Sequence, residues 1–337
     1  MTDKLRVALA GSVTSSRVVL EALISHNAPI AGVLGLSAGK STGVSGYCRL
    51  DDLAEQVHAP YQDFESINAP ETIKAVAAWS PDVLLVVGLS QLVSRVLLDI
   101  PRLGCVGFHP TWLPRGRGRA PLAWLTYDGE PGAATFFLMT EEADAGSIFV
   151  QEPFWISEDE HAAEVGRKVD SAIRVALDRW LPELLSGVWD PAPQDESRVT
   201  FNGRRCPEDG VIHWERPARE VYALIRACSH PHPGAYTYLA GRKILVWRAE
   251  RYSGVPYRGA VGRILAINNG RMLVQTGDVP LWVSELDSTD GDCLPLRIGS
   301  RLGYEPQDEV HSMQTRLVEL EEGVRNLTIL VSSMRSR

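Results

Sequence analysis

Four apolar runs recur through the first third of the chain with helical spacing between them, and this alternation limits the architecture more than any other feature. Leu5–Ala10 and Pro29–Leu34 are predicted strands, and P-D-V-L-L-V-V-G and G-C-V-G-F-H supply two more. Between them Ser15–Ser25 carries Val18, Val19, Ala22 and Leu23 on one helical face, and residues 50–58 and 70–80 repeat the helical period. Alternating strand and helix implies an α/β fold, a Rossmann-like parallel sheet covered on both faces. Its ligand site is expected beyond the carboxyl ends of the strands. Val87-Gly88 and Val106–His109 are expected at that edge.

The pattern changes in the second half. Asp159–Leu185 is helical up to Gly187, and W-D-P-A-P-Q-D-E-S is rich in proline and acid, as a crossing between domains would be. Lys243–Ala249, Gly262–Ile267, Arg271–Thr276 and Pro280–Glu285 are short strand-like runs joined by turns such as N-N-G, which predicts a small OB-like β-barrel. The expected division is therefore a catalytic domain at 1–187, a linker at 188–203, a small β domain at 204–305 and a helix at 306–337. In that helix Val310, Met313, Leu317, Leu320, Val324, Leu327, Val331 and Met334 alternate spacings of three and four. That is a heptad seam, and it predicts a parallel coiled coil and a homodimer; the blander reading is an amphipathic helix lying on the body.

Charge and cysteine usage narrow the partners. The 337 residues carry a formal net charge of -8, so no general basic field draws in nucleic acid or an anionic membrane, and a small-molecule partner is favoured. The five cysteines include no C-x-x-C pair, and an odd count suits reduced thiols in the cytoplasm. No signal-like or membrane-spanning apolar segment occurs in the sequence.

His109 directly follows a predicted strand, and the loop behind it, P-T-W-L-P-R-G-R-G-R, holds two prolines, two glycines and three arginines. A histidine pinned there among cations is placed for acid–base work, though it also suits a ring that merely bonds the loop. Further on, Asp144 is predicted in a tight turn between the apolar runs Thr135–Met139 and Ile148–Val150. A turn aspartate commonly satisfies its own backbone. Beside His109 it would make an acid–base pair at the sheet edge.

H-P-T-W-L-P-R-G-R-G-R-A-P-L followed by E-E-A-D-A-G-S-I-F-V-Q resembles the folate-dependent formyltransferase family, whose signature is Asn-x-His, a Leu-Pro loop and Asp-x-Gly. R-R-C-P-E-D-G-V-I-H-W, I-R-A-C-S-H-P-H-P-G-A-Y-T-Y-L and K-I-L-V-W look like the amino-sugar formyltransferases, the UDP-4-amino-4-deoxy-L-arabinose type included. The resemblance runs from about residue 5 to 300. It implies transfer of a formyl group from 10-formyltetrahydrofolate to the amine of a small molecule, such as a nucleotide-linked amino sugar or a hydroxyornithine side chain. His109 would then hold or protonate a developing oxyanion, with Asp144 fixing the ring and helping to carry the proton lost by the attacking nitrogen. Leu89, Ser90, Gln91, Leu92, Glu141, Ala143 and Asp144 would border the pterin, mainly through backbone.

The family asparagine is replaced by Gly107, which has no donor. Losing one oxyanion donor costs about 2.7–4 kcal/mol unless an ordered water, Ser90, Gln91 or Thr111 takes its place. The alternatives carried with the resemblance are a methionyl-tRNA formyltransferase, a catalytically weak folate- or sugar-nucleotide-binding relative, and a formyltetrahydrofolate hydrolase. Ser12, Arg204 and Arg205 are candidate acceptor contacts, the two arginines through bidentate bonds to a diphosphate. Gly11-Ser12 lacks the dinucleotide fingerprint and R-G-R-G-R-A is no P-loop, which argues against NAD and ATP. Cys228, His230 and His232 lack a fourth ligand, and no metal is expected.

Overall fold

The computed structural model describes residues 5–289, 296–303 and 306–335. Cys293 and Tyr304 lie outside them, as does the Met334 side chain of the heptad seam. The chain divides into two compact units. One gathers Met1–Val211 with Tyr222–Ala235 and Trp247–Glu250, and the other Ile212–Val221, Tyr236–Val246 and Arg251–Arg337.

In the first unit β1 (Val7–Gly11), α1 (Thr14–Ser25), β2 (Ile30–Leu36), α2 (Asp51–Gln56), β3 (Tyr61–Phe64), α3 (Pro70–Trp79), β4 (Val83–Val87), α4 (Arg95–Leu98) and β5 (Gly104–His109) alternate as the apolar runs require. They are followed by β6 (Arg117–Gly118), α5 (Pro121–Asp128), β7 (Gly132–Leu138), β8 (Ile148–Phe154), α6 (Ala162–Leu185) and β9 (Phe201–Asn202). The main sheet has the order β3-β2-β1-β4-β5-β7-β8. Every residue of β1 and β4 is buried, because helices cover both faces.

Successive strand side chains point to opposite faces. Val7, Leu9, Val83, Leu85 and Val87 therefore enter one core with α1 and α6, while Ala8, Ala10, Leu84 and Val86 enter the other with Val76 of α3 and Leu97 of α4. Each such aliphatic side chain contributes about 1.5–3 kcal/mol of burial. Helix α6 supplies the largest lid: Val165, Val169, Ile173, Leu177, Trp180, Leu181 and Leu184 are buried at helical spacing, and Trp180 stacks on Phe136 at 5.7 Å.

Two details go beyond the sequence reading. The sheet is parallel only from β3 to β5, since β7 runs antiparallel to β5 and β8 antiparallel to β7. The short connection from β7 to β8 permits only an antiparallel hairpin. The segment 188–203, read as a linker, is bonded along its length to the first unit. Ile148 and Ala192 exchange backbone bonds of 2.7 and 2.8 Å, and β9 pairs in parallel with β6. Gly118 sits in that pairing at φ +109, where a Cβ would stand 2.5 Å from the Asn202 carbonyl. Only glycine fits there.

Beyond it come α7 (Ala218–Cys228), β10 (Ala235–Leu239), β11 (Arg242–Arg251), β12 (Ile264–Asn268), β13 (Arg271–Gln275), β14 (Pro280–Ser288) and α8 (Pro306–Arg335). The five strands form a separate antiparallel sheet of order β10-β11-β14-β13-β12. Where a barrel is expected, β10 and β12 stand at its two edges with no pairing between them among the described residues. Along α8 the seam residues Val310, Met313, Leu317, Leu320, Val324, Leu327 and Val331 are exposed.

Candidate active site

His109 ends β5 and is 5% exposed. Its Nε2 lies 2.9 Å from the Gly116 carbonyl oxygen. A carbonyl only accepts, so in the neutral ring the proton sits on Nε2 and Nδ1 carries the lone pair. Nδ1 faces Asp144 Oδ1 at 3.8 Å. That is longer than a hydrogen bond, as apo acid–base pairs often are, and close enough to tighten around a substrate.

Asp144 lies in a turn between β7 and β8, as expected. Because β7 is antiparallel to β5, its last residue Leu138 lies beside Val106, while His109 lies beside Thr135 at the other end. The loop 139–147 begins with a Met139 N–H bond to the Cys105 carbonyl and doubles back until Asp144 meets His109. The Asp144 residue is left-handed, at φ +57. Its Oδ2 accepts from the Gly118 N–H at 2.8 Å, which aims Oδ1 at the imidazole.

Under that loop lies Gly107. It shares a strand face with His109 and pairs with Phe137. A Cβ at 107 would come within 2.8 Å of the Phe137 ring and 3.1 Å of Met139 Cγ. Two apolar side chains thus crowd the place that a side chain at 107 would take. Gln91, considered as a replacement donor, is engaged at both ends: its Oε1 accepts from Ile67 N at 2.7 Å and its Nε2 donates to Glu65 O at 3.1 Å. Thr111 is buried, with its hydroxyl 3.5 Å from the Gly116 carbonyl oxygen.

Of the expected donor-site residues, Glu141 lines a cavity of about 460 Å³ that is also bounded by Arg95, Leu98, Asp99, Cys105, Met139 and Glu142, toward the start of β5. Ala143 and Asp144 follow Glu141 in the same loop, and Leu89 packs on the core that holds Leu97 and Leu98. Leu92 is 70% exposed, and the Ser90 carbonyl accepts from Arg119 at 3.3 Å. Burial pushes the Cys105 thiol up to about 12, so it meets the cavity as a neutral, apolar group.

The candidate acceptor residues are not gathered by any bond to this pair. Ser12 is buried, its N–H held by Ser16 Oγ at 3.0 Å and its carbonyl by Cys48 N at 2.9 Å. Arg205 lies over Trp124 and Tyr127 at 5.0 and 5.6 Å and reaches Cys228 Sγ at 3.6 Å, while Arg204 is exposed. His230 stacks on Trp247 at 3.7 Å and His232 Nδ1 faces Ser45 Oγ at 3.3 Å. Among the described residues no group of three or more His, Cys, Asp or Glu side chains is placed to hold a metal.

Sequence reasoning missed Arg117, Gln194, Glu196 and Thr200. The Arg117 guanidinium is 1% exposed and pairs with Glu196 at 2.7 Å, and Gln194 binds Arg117 and the Asp144 loop. The available signal was the coincidence of an arginine-rich loop with an acidic stretch of opposite sign, read separately as a catalytic loop and a solvated linker.

Residues 5–180 match the model of the formyl transferase family, and residues 206–297 match that of the formyl transferase C-terminal domain. The chain belongs to the formyl transferase family. Members of this family use 10-formyltetrahydrofolate as the formyl donor. HypX from Aquifex aeolicus, solved in complex with tetrahydrofolic acid, is 19% identical with a TM-score of 0.62, over 85% of this chain and 45% of that one. The chain thus spans under half the length of HypX. An N-formyltransferase from Helicobacter canadensis, solved with folinic acid and dTDP-3-aminofucose, is 12% identical with a TM-score of 0.60, over 84% of this chain and 100% of that one. Methionyl-tRNA formyltransferase from Clostridium thermocellum is 19% identical with a TM-score of 0.52, over 74% and 95%. At these identities the likenesses show a shared fold. Among the described residues no helix is long and apolar enough to cross a membrane.

Proposed function

We propose that this formyl transferase acts on the primary amine of a small molecule, with a nucleotide-linked amino sugar as the favoured acceptor class. The observation that carries the reading is the His109–Asp144 pair, 3.8 Å apart at the carboxyl end of β5. The Helicobacter canadensis enzyme, solved with a sugar nucleotide and matched over its full length, supports the acceptor class. A net charge of -8 weighs against a tRNA acceptor, which a protein holds by neutralising phosphates.

The chain's own residues supply binding and proton handling. Leu89, Ser90, Gln91, Leu92 and the loop 141–144 would border the donor's pterin, mainly through backbone groups. When bound, the donor supplies an electrophilic formyl carbon on a nitrogen leaving group. The amine attacks that carbon, the new C–N bond forms and the old one breaks, and one proton must pass from the amine to the departing nitrogen. His109 Nδ1, with its lone pair toward Asp144 Oδ1, is the group that takes and returns this proton, and Asp144 stabilises the imidazolium that forms meanwhile. The Gly116 carbonyl keeps the ring from rotating, because Nε2–H is bonded to it at 2.9 Å. We also infer that a second copy of the chain is the macromolecular partner, joined along the exposed α8 seam.

The test is calorimetric titration with 5-formyltetrahydrofolate, alone and then with UDP- and dTDP-linked amino sugars. Donor binding that tightens with one sugar nucleotide, followed by its formylation, is the expected result. Donor binding with no response to any sugar nucleotide overturns the acceptor class, and a salt-dependent shift of initiator tRNA would replace it.

A further inference from the structure

The segment 192–202 contributes no group to the proposed proton transfer, yet it is bonded to both loops that do. Gln194 Nε2 donates to the Asp144 carbonyl at 2.8 Å and to the Gly146 carbonyl at 2.7 Å. Gln194 Oε1 accepts from Arg117 Nη2 at 2.8 Å and Nε at 3.2 Å. The other edge of the guanidinium is closed by Glu196, with Oε1 at 2.7 Å and Oε2 at 3.2 Å. One residue before Arg117, the Gly116 N–H donates to Thr200 Oγ1 at 2.8 Å, and the Gly116 carbonyl is the one that holds His109. One residue after it, the Gly118 N–H holds Asp144 Oδ2.

Arg117 is therefore a fixed point between the two proton-handling residues. A planar guanidinium at 1% exposure, with its hydrogen bonds committed to Gln194 and Glu196 and a second carboxylate, Glu142 of the Asp144 loop, 3.9 Å from Nη1, leaves its backbone little freedom. Asp144 needs such a hold. At φ +57 it occupies a conformation that non-glycine residues adopt only when their surroundings enforce it. Gln194 is the side chain that bonds the loop at this residue and just after it, through the carbonyls of 144 and 146.

We propose that Gln194 is a positioning residue: bridging Arg117 and the Asp144–Gly146 backbone, it sets the Asp144 carboxylate against His109. The proposal rests on the reading of His109 and Asp144 as the proton-handling pair. Without Gln194 the two carbonyls lose their donor, the Gly118 N–H to Oδ2 bond loosens, and Oδ1 turns from the imidazole. A misplacement of about 1 Å in such a pair costs up to roughly a hundredfold in turnover while leaving ground-state binding intact.

The experiment compares wild type with Gln194→Ala, Gln194→Glu and Glu196→Ala. Gln194→Glu keeps an acceptor for Arg117 but cannot donate to the two carbonyls, so it separates positioning from stability. Glu196 is 66% exposed, and its removal loosens Arg117 from the solvent side. Four readouts are taken: thermal unfolding, 5-formyltetrahydrofolate affinity, kcat with KM, and NMR exchange of the Gly118 amide. The expected result for Gln194→Glu is a folded protein with unchanged donor affinity, kcat lower by about ten- to hundredfold at constant KM, and faster Gly118 exchange. If Gln194→Ala does not fold, Gln194→Glu and Glu196→Ala carry the test. A Gln194→Glu protein with wild-type kcat and Gly118 exchange overturns the proposal. If wild type formylates no acceptor, the function above fails separately; faster Gly118 exchange at unchanged donor affinity then still supports the clamp, and unchanged exchange overturns it.

Discussion

Gly107 and Phe137 face each other across the β5–β7 pair, and the Phe137 ring fills the space that a side chain at residue 107 would need. The family's asparagine and this ring exclude one another. Gly107→Asn is therefore expected to destabilise the fold by overpacking, by about 1–3 kcal/mol, without raising turnover. Thermal unfolding checks this, with Phe137→Leu added in the same chain expected to recover part of the loss. An unfolding midpoint unchanged by Gly107→Asn would show that the ring does not hold that space.

Removing the Asp144 charge separates chemistry from binding. Asp144→Asn keeps an oxygen for the Gly118 N–H but no longer stabilises a protonated His109. We expect kcat to fall roughly a hundred- to ten-thousandfold, the range for loss of acid–base help, with donor affinity unchanged. Steady-state kinetics beside calorimetry decide it; a parallel loss of 5-formyltetrahydrofolate binding would mean that Asp144 serves the donor pocket instead.

These two predictions mark where the sequence was legible. The β–α alternation is visible because strands buried on both faces, such as V-L-L-V-V, admit only apolar residues. His109 was visible for a similar reason, as a polar residue at the end of such a strand. The pairing with Asp144 was expected from the two motifs together, but the antiparallel path that brings it there was not, because strand direction after β5 depends on loop length and on which edge the chain returns to. Nor was the clamp. Arg117 and Glu196 lie far apart in the chain, and a buried arginine has the same letter as a solvated one. The asparagine's absence was plain in the letters, while the Phe137 ring that fills its place emerges only from strand register.

Acid sensitivity is expected from a residue outside the active pair. Burial first, and the Arg205 cation second, lower the His232 imidazole to about 4. The unfolded chain titrates near 6.5, so between about 6.5 and 4 it binds a proton that the folded chain refuses. Stability is complete above about 6.5 and is lost as pH falls toward 4, with about 2 kcal/mol disappearing between pH 7 and pH 5. His161, lowered chiefly by burial, adds in the same direction. Denaturant unfolding at the two pH values should show a smaller difference for His232→Gln than for wild type. Equal differences would remove His232 from the account.

Thiol chemistry gives an independent check of packing. Burial raises Cys105, 1% exposed, to about 12 and also raises Cys228. The thiolate is the reactive species, so neither is expected to react with a thiol-specific reagent at neutral pH until the chain is unfolded. Mass mapping after brief labelling of the native protein tests this, and early modification of Cys105 would contradict its place between β5 and α4.

The α8 seam makes the prediction with the widest consequence. Val310, Met313, Leu317, Leu320, Val324, Leu327 and Val331 are each at least 50% exposed, and they recur at the three-and-four spacing that brings one stripe of a helix against a partner. So long an unbroken apolar stripe is costly to leave in water, and a second copy of the same helix in parallel offers a self-complementary cover. Gly323 opposes this by about 1 kcal/mol of helix propensity. Gly323→Ala should therefore strengthen self-association, and truncation after Tyr304 should abolish it while leaving donor binding intact. Light scattering across a concentration series reads both. A truncated chain with the mass of the full one, corrected for the missing residues, would sink the coiled-coil dimer and leave α8 to cover some other surface.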